Sequence, residues 1–265
     1  MLPSLIGIIA SSGGPSTPTS PVAGYRAWYD ASDTSTITRS GSNVTQWNDK
    51  SANALNLVQA TSAKQPLSGT RTQNGKNMID FDGTDDALTS NAASSAWKFL
   101  TDATGSTVFL TLFVDTDSSG WTLTDVSNGS VANVASYTLY KNGNDTGYFA
   151  KGTDNPSGYN WFVSNTTQIF TDNAAQNWTI VSDPTNGTAA NRLKVYKNTT
   201  LDSSANAQTG TSSTSNPSLP LSLGGLANFS DSFDGGICEV IIYNSILNST
   251  DIATNQAYLA AKWGI

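Results

Sequence analysis

Residues 79–86 read IDFDGTDD, and Asp80, Asp82, Asp85 and Asp86 place four carboxylates in that short stretch. Carboxylate oxygens are hard ligands of the kind Ca2+ takes. The stretch lacks the twelve-residue loop and closing bidentate Glu of a helix–loop–helix calcium site. A strand, an Asp-Gly turn and a second strand, with Asp side chains holding the turn amides, accounts for the same residues. The turn is the expected outcome. Ca2+ on these residues is the alternative, and no other cofactor is implied.

A second group could act on sugars. Trp121, Tyr148, Tyr159 and Trp161 are expected in Gly/Asn-rich turns, where a sugar ring can stack on an aromatic face. Trp28, Trp47, Trp178 and Trp263 sit in strand or helix context and are assigned to the core. Catalysis is poorly supplied. The chain has no His, which removes Ser-His-Asp and Cys-His chemistry and the commonest transition-metal ligand. It has a single Glu, Glu239, whereas glycoside hydrolysis needs a carboxylate pair, and nothing in the sequence places an Asp pair in its stead. No catalytic residue is assigned, and the chain is expected not to be an enzyme.

These residues need elements to hold them. The 265 residues suit one large β domain able to bury a core without disulfides, and Cys238 has no cysteine partner. Thr107 to Asp115, TVFLTLFVD, places Val108, Leu110, Leu112 and Val114 on one face and Phe109 and Phe113 on the other. Apolar groups on both faces predict a central strand covered on both sides. Asn-Gly pairs at Asn74, Asn128, Asn142 and Asn186 punctuate the strand-like runs as hairpin turns do. Near the end, Ile237, Glu239, Ile241 and Tyr243 are expected to point one way, with Cys238, Val240 and Ile242 pointing the other. A helix follows from about Thr250, capped by Ser249 or Asn248 and stopped by Gly264. Ile252, Leu259 and Trp263 form its buried stripe, with Ala253, Ala257 and Ala260 letting it lie close to the sheet. The fold class is all-β, an antiparallel two-sheet sandwich with a short C-terminal helix.

The tail carries a family resemblance. Asp234, Gly235, Ile237, Glu239, Val240, Ile242, Tyr243 and Asn244, then Tyr258, Leu259, Ala260, Lys262, Trp263 and Gly264, resemble the closing strand and helix of concanavalin A-like, laminin-G-type jelly-roll domains. AWYDASDTSTIT, VTQWNDKSANALNLVQA and MIDFDGTDDALT are similar to that family's opening segments. The resemblance implies a jelly roll from about Tyr25 to Ile265 and a structural role for Glu239.

Ahead of this body lies an apolar segment. Leu2, Leu5, Ile6, Ile8 and Ile9 precede SSGGPSTPTSP, a linker whose composition does not order by itself. The organisation is thus an extended arm and linker over 1–21 and a jelly-roll domain over 22–265. The apolar run lacks the basic start of a secretory leader and is too short to span a bilayer, so no membrane is implied. The net charge is −7, and no basic cluster is present to hold nucleic acid. Domains of this type with an apolar arm are similar to those of tailed-phage virion proteins. That resemblance implies a virion structural protein, a capsid decoration protein anchored by the five arm residues. Its partners would be other virion proteins, the major capsid protein first, and copies of itself. The alternative is a tail- or fibre-associated carbohydrate-binding module that takes surface glycans.

Overall fold

The computed structural model describes residues 17–115, 121–125, 137–141, 147–151, 162–166, 170–202, 212–225 and 232–265. Among them are seventeen strands: β1 (Ala27–Asp30), β2 (Ile37–Ser40), β3 (Asn43–Trp47), β4 (Leu57–Val58), β5 (Leu67–Gln73), β6 (Lys76–Asp82), β7 (Leu88–Ser90), β8 (Ser106–Val114), β9 (Trp121–Asp125), β10 (Tyr137–Lys141), β11 (Gly147–Lys151), β12 (Phe162–Thr166), β13 (Ala174–Ser182), β14 (Leu193–Lys197), β15 (Thr200–Asp202), β16 (Ser222–Leu223) and β17 (Asp234–Tyr243). One α-helix, α1 (Ser249–Trp263), closes the chain.

Every described pairing is antiparallel. The pairings form two runs. One is β5–β6–β17–β8–β13–β14–β15, with β1 beside the second half of β17. The other is β2–β3–β4–β7–β16–β9–β10–β11–β12. A single bridge, Asn43 opposite Leu67, joins them, so the expected two sheets are hydrogen-bonded into one. Both runs feed one core, including Trp47, Leu57, Leu88, Leu139 and Leu223 from one side and Ile79, Leu110, Trp178, Val195 and Val240 from the other.

β8 is the covered central strand that its two apolar faces predict. It lies between β13 and β17. Val108, Leu110, Leu112 and Val114 enter the sandwich core, while Phe109 and Phe113 join a second cluster under α1. That second cluster holds Met78, Val181, Ile241, Tyr243, Ile252, Leu259 and Trp263. Of the predicted core tryptophans, Trp47, Trp178 and Trp263 are fully buried, whereas Trp28 is half-buried on the wall of an open cleft.

Three local expectations need correction. β17 does not alternate throughout. Its register against β8 slips between Ile237 and Glu239, so Cys238 is an extra residue. Ile237 therefore joins Val240 and Ile242 in the sandwich core, and Cys238 falls with Ile241 and Tyr243 on the helix side. The bulge sits where the other neighbour of β17 changes from β6 to β1. Second, α1 turns Ala253 and Ala257 outward; Asn255, Gln256 and Tyr258 are buried with Ile252, Leu259 and Trp263. Polar side chains fit that face because each finds a partner: Asn255 Nδ2 donates to Tyr243 Oη at 3.0 Å and Gln256 Nε2 to Thr179 Oγ1 at 3.2 Å. Third, Asn74-Gly75 makes the expected hairpin between β5 and β6 with both φ positive, but Asn186 lies in a longer loop between β13 and β14. Asn128 and Asn142 lie outside the described residues. The predicted helix ends hold. Asn248 accepts from the Asp251 N–H at 3.0 Å, and Gly264 takes the left-handed conformation at φ 72°.

Val22 is fastened to the domain at both backbone groups. Its N–H donates to Asn255 Oδ1 at 2.8 Å and its carbonyl accepts from Tyr243 Oη at 2.6 Å. Leu2, Leu5, Ile6, Ile8 and Ile9, expected to serve as an anchor, lie outside the described residues.

Candidate functional site

Two polar sites flank β17. The first lies where β6 ends. Asp82 Oδ1 accepts the N–H of Thr84 at 2.8 Å and of Asp85 at 3.4 Å, the turn chemistry expected of an Asp-Gly pair. The Asp82 N–H in turn donates to Asp86 Oδ2 at 3.1 Å. Asp82, Asp85 and Asp86 each bring an oxygen within 4.8 Å of the others. Asp80 does not join them. It pairs with Arg71 at 2.7 Å, and the same guanidinium also holds Asp115. Strand alternation does not separate Asp80, since it sets Asp80 and Asp82 on one face of β6. The ion pair with Arg71 draws Asp80 away, whereas Asp85 and Asp86 reach back to Asp82 because the chain turns at Gly83.

Arg71, Asp80, Asp82, Asp86, Asp115 and Asp234 line an open cleft of about 380 Å³. Burial pushes the Asp86 carboxyl up to about 7; the charge of Asp82 adds to this, and the bond from the Asp82 N–H opposes it. The three carboxylates could contribute to a hard cation's shell, but Ca2+ takes six to eight oxygens and Asp82 already serves its turn.

The second site is a buried network around Glu239. Glu239 is wholly inaccessible. Its Oε1 accepts from Trp28 Nε1 at 2.7 Å and Tyr258 Oη at 2.8 Å, and its Oε2 from Trp263 Nε1 and Lys262 Nζ, both at 2.8 Å. Glu239 stands opposite Asp30 in the β1–β17 register, which would set two like charges face to face. Lys262 relieves this by pairing with Asp30 Oδ1 at 2.7 Å as well. Lys50 completes the chain, 3.1 Å from Asp30 Oδ2 and 2.8 Å from Asp33.

The two facing carboxyls are shifted in opposite directions. Burial pushes Glu239 up, with Lys262 opposing. Burial acts on Asp30 in the same sense, but the charges and hydrogen bonds of Lys262, Ser32 and Lys50 outweigh it and hold Asp30 below its usual value. Opposed shifts are the pattern of an acid–base pair. Here, however, four donors fill the acceptor sites of Glu239, and none remains for a substrate. Glu239 serves the fold, as the resemblance implies, from a strand paired on both sides.

The sequence offers Asp30, with Asp33, as a turn aspartate and alternative metal ligand, and Tyr258 and Lys262 only within the closing motif; it does not bring the three together as a site. The available signal was the i,i+4 spacing of Tyr258 and Lys262 on the helix face that meets the sole Glu. Of the aromatic candidates, Trp121 and Tyr148 lie in strands, not turns. Trp121 stands opposite Lys141, and Tyr148 stands between Tyr140 and Asn165. Aromatic residues favour such extended positions. Tyr159 and Trp161 lie outside the described residues.

No protein-family model and no curated protein matches the sequence. Solved structures do match by shape. Trypanosoma rangeli sialidase in complex with sialic acid matches with a TM-score of 0.59 at 15% identity, over 91% of this chain and 34% of the sialidase. The chain therefore spans about a third of that protein's length. Domain 4 of AbnA, a GH43 extracellular arabinanase from Geobacillus stearothermophilus in complex with arabinotriose, matches with a TM-score of 0.58 at 14% identity. That match covers 88% of this chain and 98% of the domain. The CBM40 of Ruminococcus gnavus IT-sialidase, bound to alpha2,3 sialyllactose, matches with a TM-score of 0.50 at 14% identity, over 67% of this chain and 95% of that one. At such identity the likeness concerns shape, and the shape is that of a concanavalin A-like jelly-roll β-sandwich.

Proposed function

We propose that the chain is a glycan-binding β-sandwich module. The observation that carries this reading is the match to the arabinanase domain, which spans nearly the whole of both molecules and whose partner is an oligosaccharide. The sialyllactose-bound CBM40 points the same way. The spent acceptor capacity of Glu239 favours binding over hydrolysis, because the single glutamate has no lone pair to lend to bond cleavage. Applied to a glycan array, the full chain should retain a defined subset of oligosaccharides and release none as shorter products. Folded protein that binds no glycan on the array would overturn the reading.

A second reading concerns where the module works. The apolar run Leu2, Leu5, Ile6, Ile8 and Ile9 ahead of a Ser/Gly/Pro stretch favours an anchor to a larger assembly, for which a virion is the proposed setting. Capsid decoration and tail attachment are separated by the arm's partner. Deleting residues 2–14 should leave a folded sandwich that no longer joins the particle; normal assembly of the truncated chain would remove the arm from this role.

A further inference from the structure

A cleft of about 440 Å³ opens between β1, the start of β6 and the last turn of α1. Lys50, Lys76, Lys262, Trp28, Asp30 and Tyr258 line it. The volume suits a ligand of one or two sugar rings. Its chemistry follows from which donors and acceptors are already used.

The carboxylates are spent. Asp30 accepts from the Ser32 N–H at 3.1 Å, the Ser32 hydroxyl at 2.6 Å, Lys262 and Lys50. Glu239, behind it, accepts from four donors. Lys262 is spent too, since its three N–H bonds serve Asp30, Glu239 and Tyr258 Oη. The remaining capacity belongs to cations. Lys50 uses two of its three N–H bonds and sits 4.3 Å from the centroid of the Trp28 ring. Lys76 is half-buried and pairs with no group among the described residues.

Helix capping does not explain Lys76. The terminal carbonyls of α1 that face its hairpin already have amide partners: Asn74 Nδ2 donates to the Lys262 carbonyl at 3.0 Å and Gln73 Nε2 to the Trp263 carbonyl at 2.9 Å. Those bonds also fix the backbone on the N-terminal side of Lys76. The cleft thus offers spare donors and no spare carboxylate acceptor, on a protein whose net charge is −7.

We propose that this cleft binds the carboxylate of an acidic sugar, with Lys76 and Lys50 as its donors. The proposal rests on the glycan-binding reading and narrows it to carboxylated glycans. An ammonium–carboxylate contact is stronger in a partly desolvated cleft than on open surface, and it weakens with salt.

The test titrates the full chain by calorimetry with trigalacturonate, a hyaluronan tetrasaccharide and 3′-sialyllactose, and with maltotriose and arabinotriose as neutral probes. At least one carboxylated probe should bind, and Lys76→Gln should weaken it about tenfold or more. Raising the salt should weaken it further. Lys194→Gln, which removes the same charge from β14, should leave it unchanged. If only neutral probes bind, or if Lys76→Gln and Lys194→Gln behave alike, the cleft assignment is wrong while glycan binding stands. If no probe binds and the glycan array is also blank, the underlying reading fails and the cleft assignment with it.

Discussion

The indole N–H of Trp263 donates to Glu239 Oε2 at 2.8 Å, fastening the last turn of α1 to the middle of β17. Both side chains are fully buried, so helix and sheet share this polar contact, with those of Asn255, Gln256, Tyr258 and Lys262, beside an apolar cluster. Trp263→Phe keeps most of the ring packing and withdraws one donor from the carboxylate, and should cost about 1.5–3 kcal/mol. Trp263→Ala adds a cavity and should cost about 3–5 kcal/mol. Glu239→Gln leaves Lys262 without one of its two counter-charges and sets an amide N–H against existing donors, with an expected loss of about 3–5 kcal/mol. Urea denaturation with an unchanged m-value reads all three. A Trp263→Phe protein as stable as the parent would show that the N–H contributes nothing.

Asp86 makes stability depend on pH. Its carboxyl is pushed up to about 7 in the fold, chiefly by burial, against an ordinary value of 3.8. Between those two values the folded chain holds a proton that the unfolded chain has lost. Stability from this group is therefore fully present below about pH 4 and declines as pH rises towards 7. The loss should be on the order of 2–4 kcal/mol. Asp86→Asn keeps an oxygen for the Asp82 N–H and removes the titration. Melting curves from pH 4 to 8 should show a gap in favour of the variant that widens with pH. Parallel curves would place the Asp86 titration elsewhere.

Gly235, the second residue of β17, has φ +143°, where an added Cβ would stand 2.2 Å from the Phe113 carbonyl oxygen on β8. That oxygen belongs to the backbone of the central strand and cannot swing aside. Gly235→Ala should destabilise by about 3 kcal/mol, with near-complete loss of soluble protein as the extreme outcome. A denaturation midpoint equal to the parent's would mean that β17 can slide away from β8.

The sequence alone determined the features that depend on neighbours within a few residues. Two-faced apolarity from Val108 to Val114 marks a covered strand, Asn74-Gly75 marks a hairpin, and Asn248 and Gly264 mark the ends of α1, because strand pleat, turn torsion and helix capping are local. Tertiary structure decided what depends on partners far away in the chain. The slip at Cys238 arises where β17 changes neighbours, and no local pattern records that change. Ala253 and Ala257 face outward because Asn255 and Gln256 find Tyr243 and Thr179 on the sheet. Asp80 leaves the other three aspartates because Arg71 and Asp115 draw it to a shared ion pair. Trp28 and Glu239 are 211 residues apart, and their bond exists only once β1 lies against β17 in one register. Burial then fixes the role of Glu239, since a carboxylate removed from water must be filled with donors, and a filled carboxylate can no longer act on a ligand.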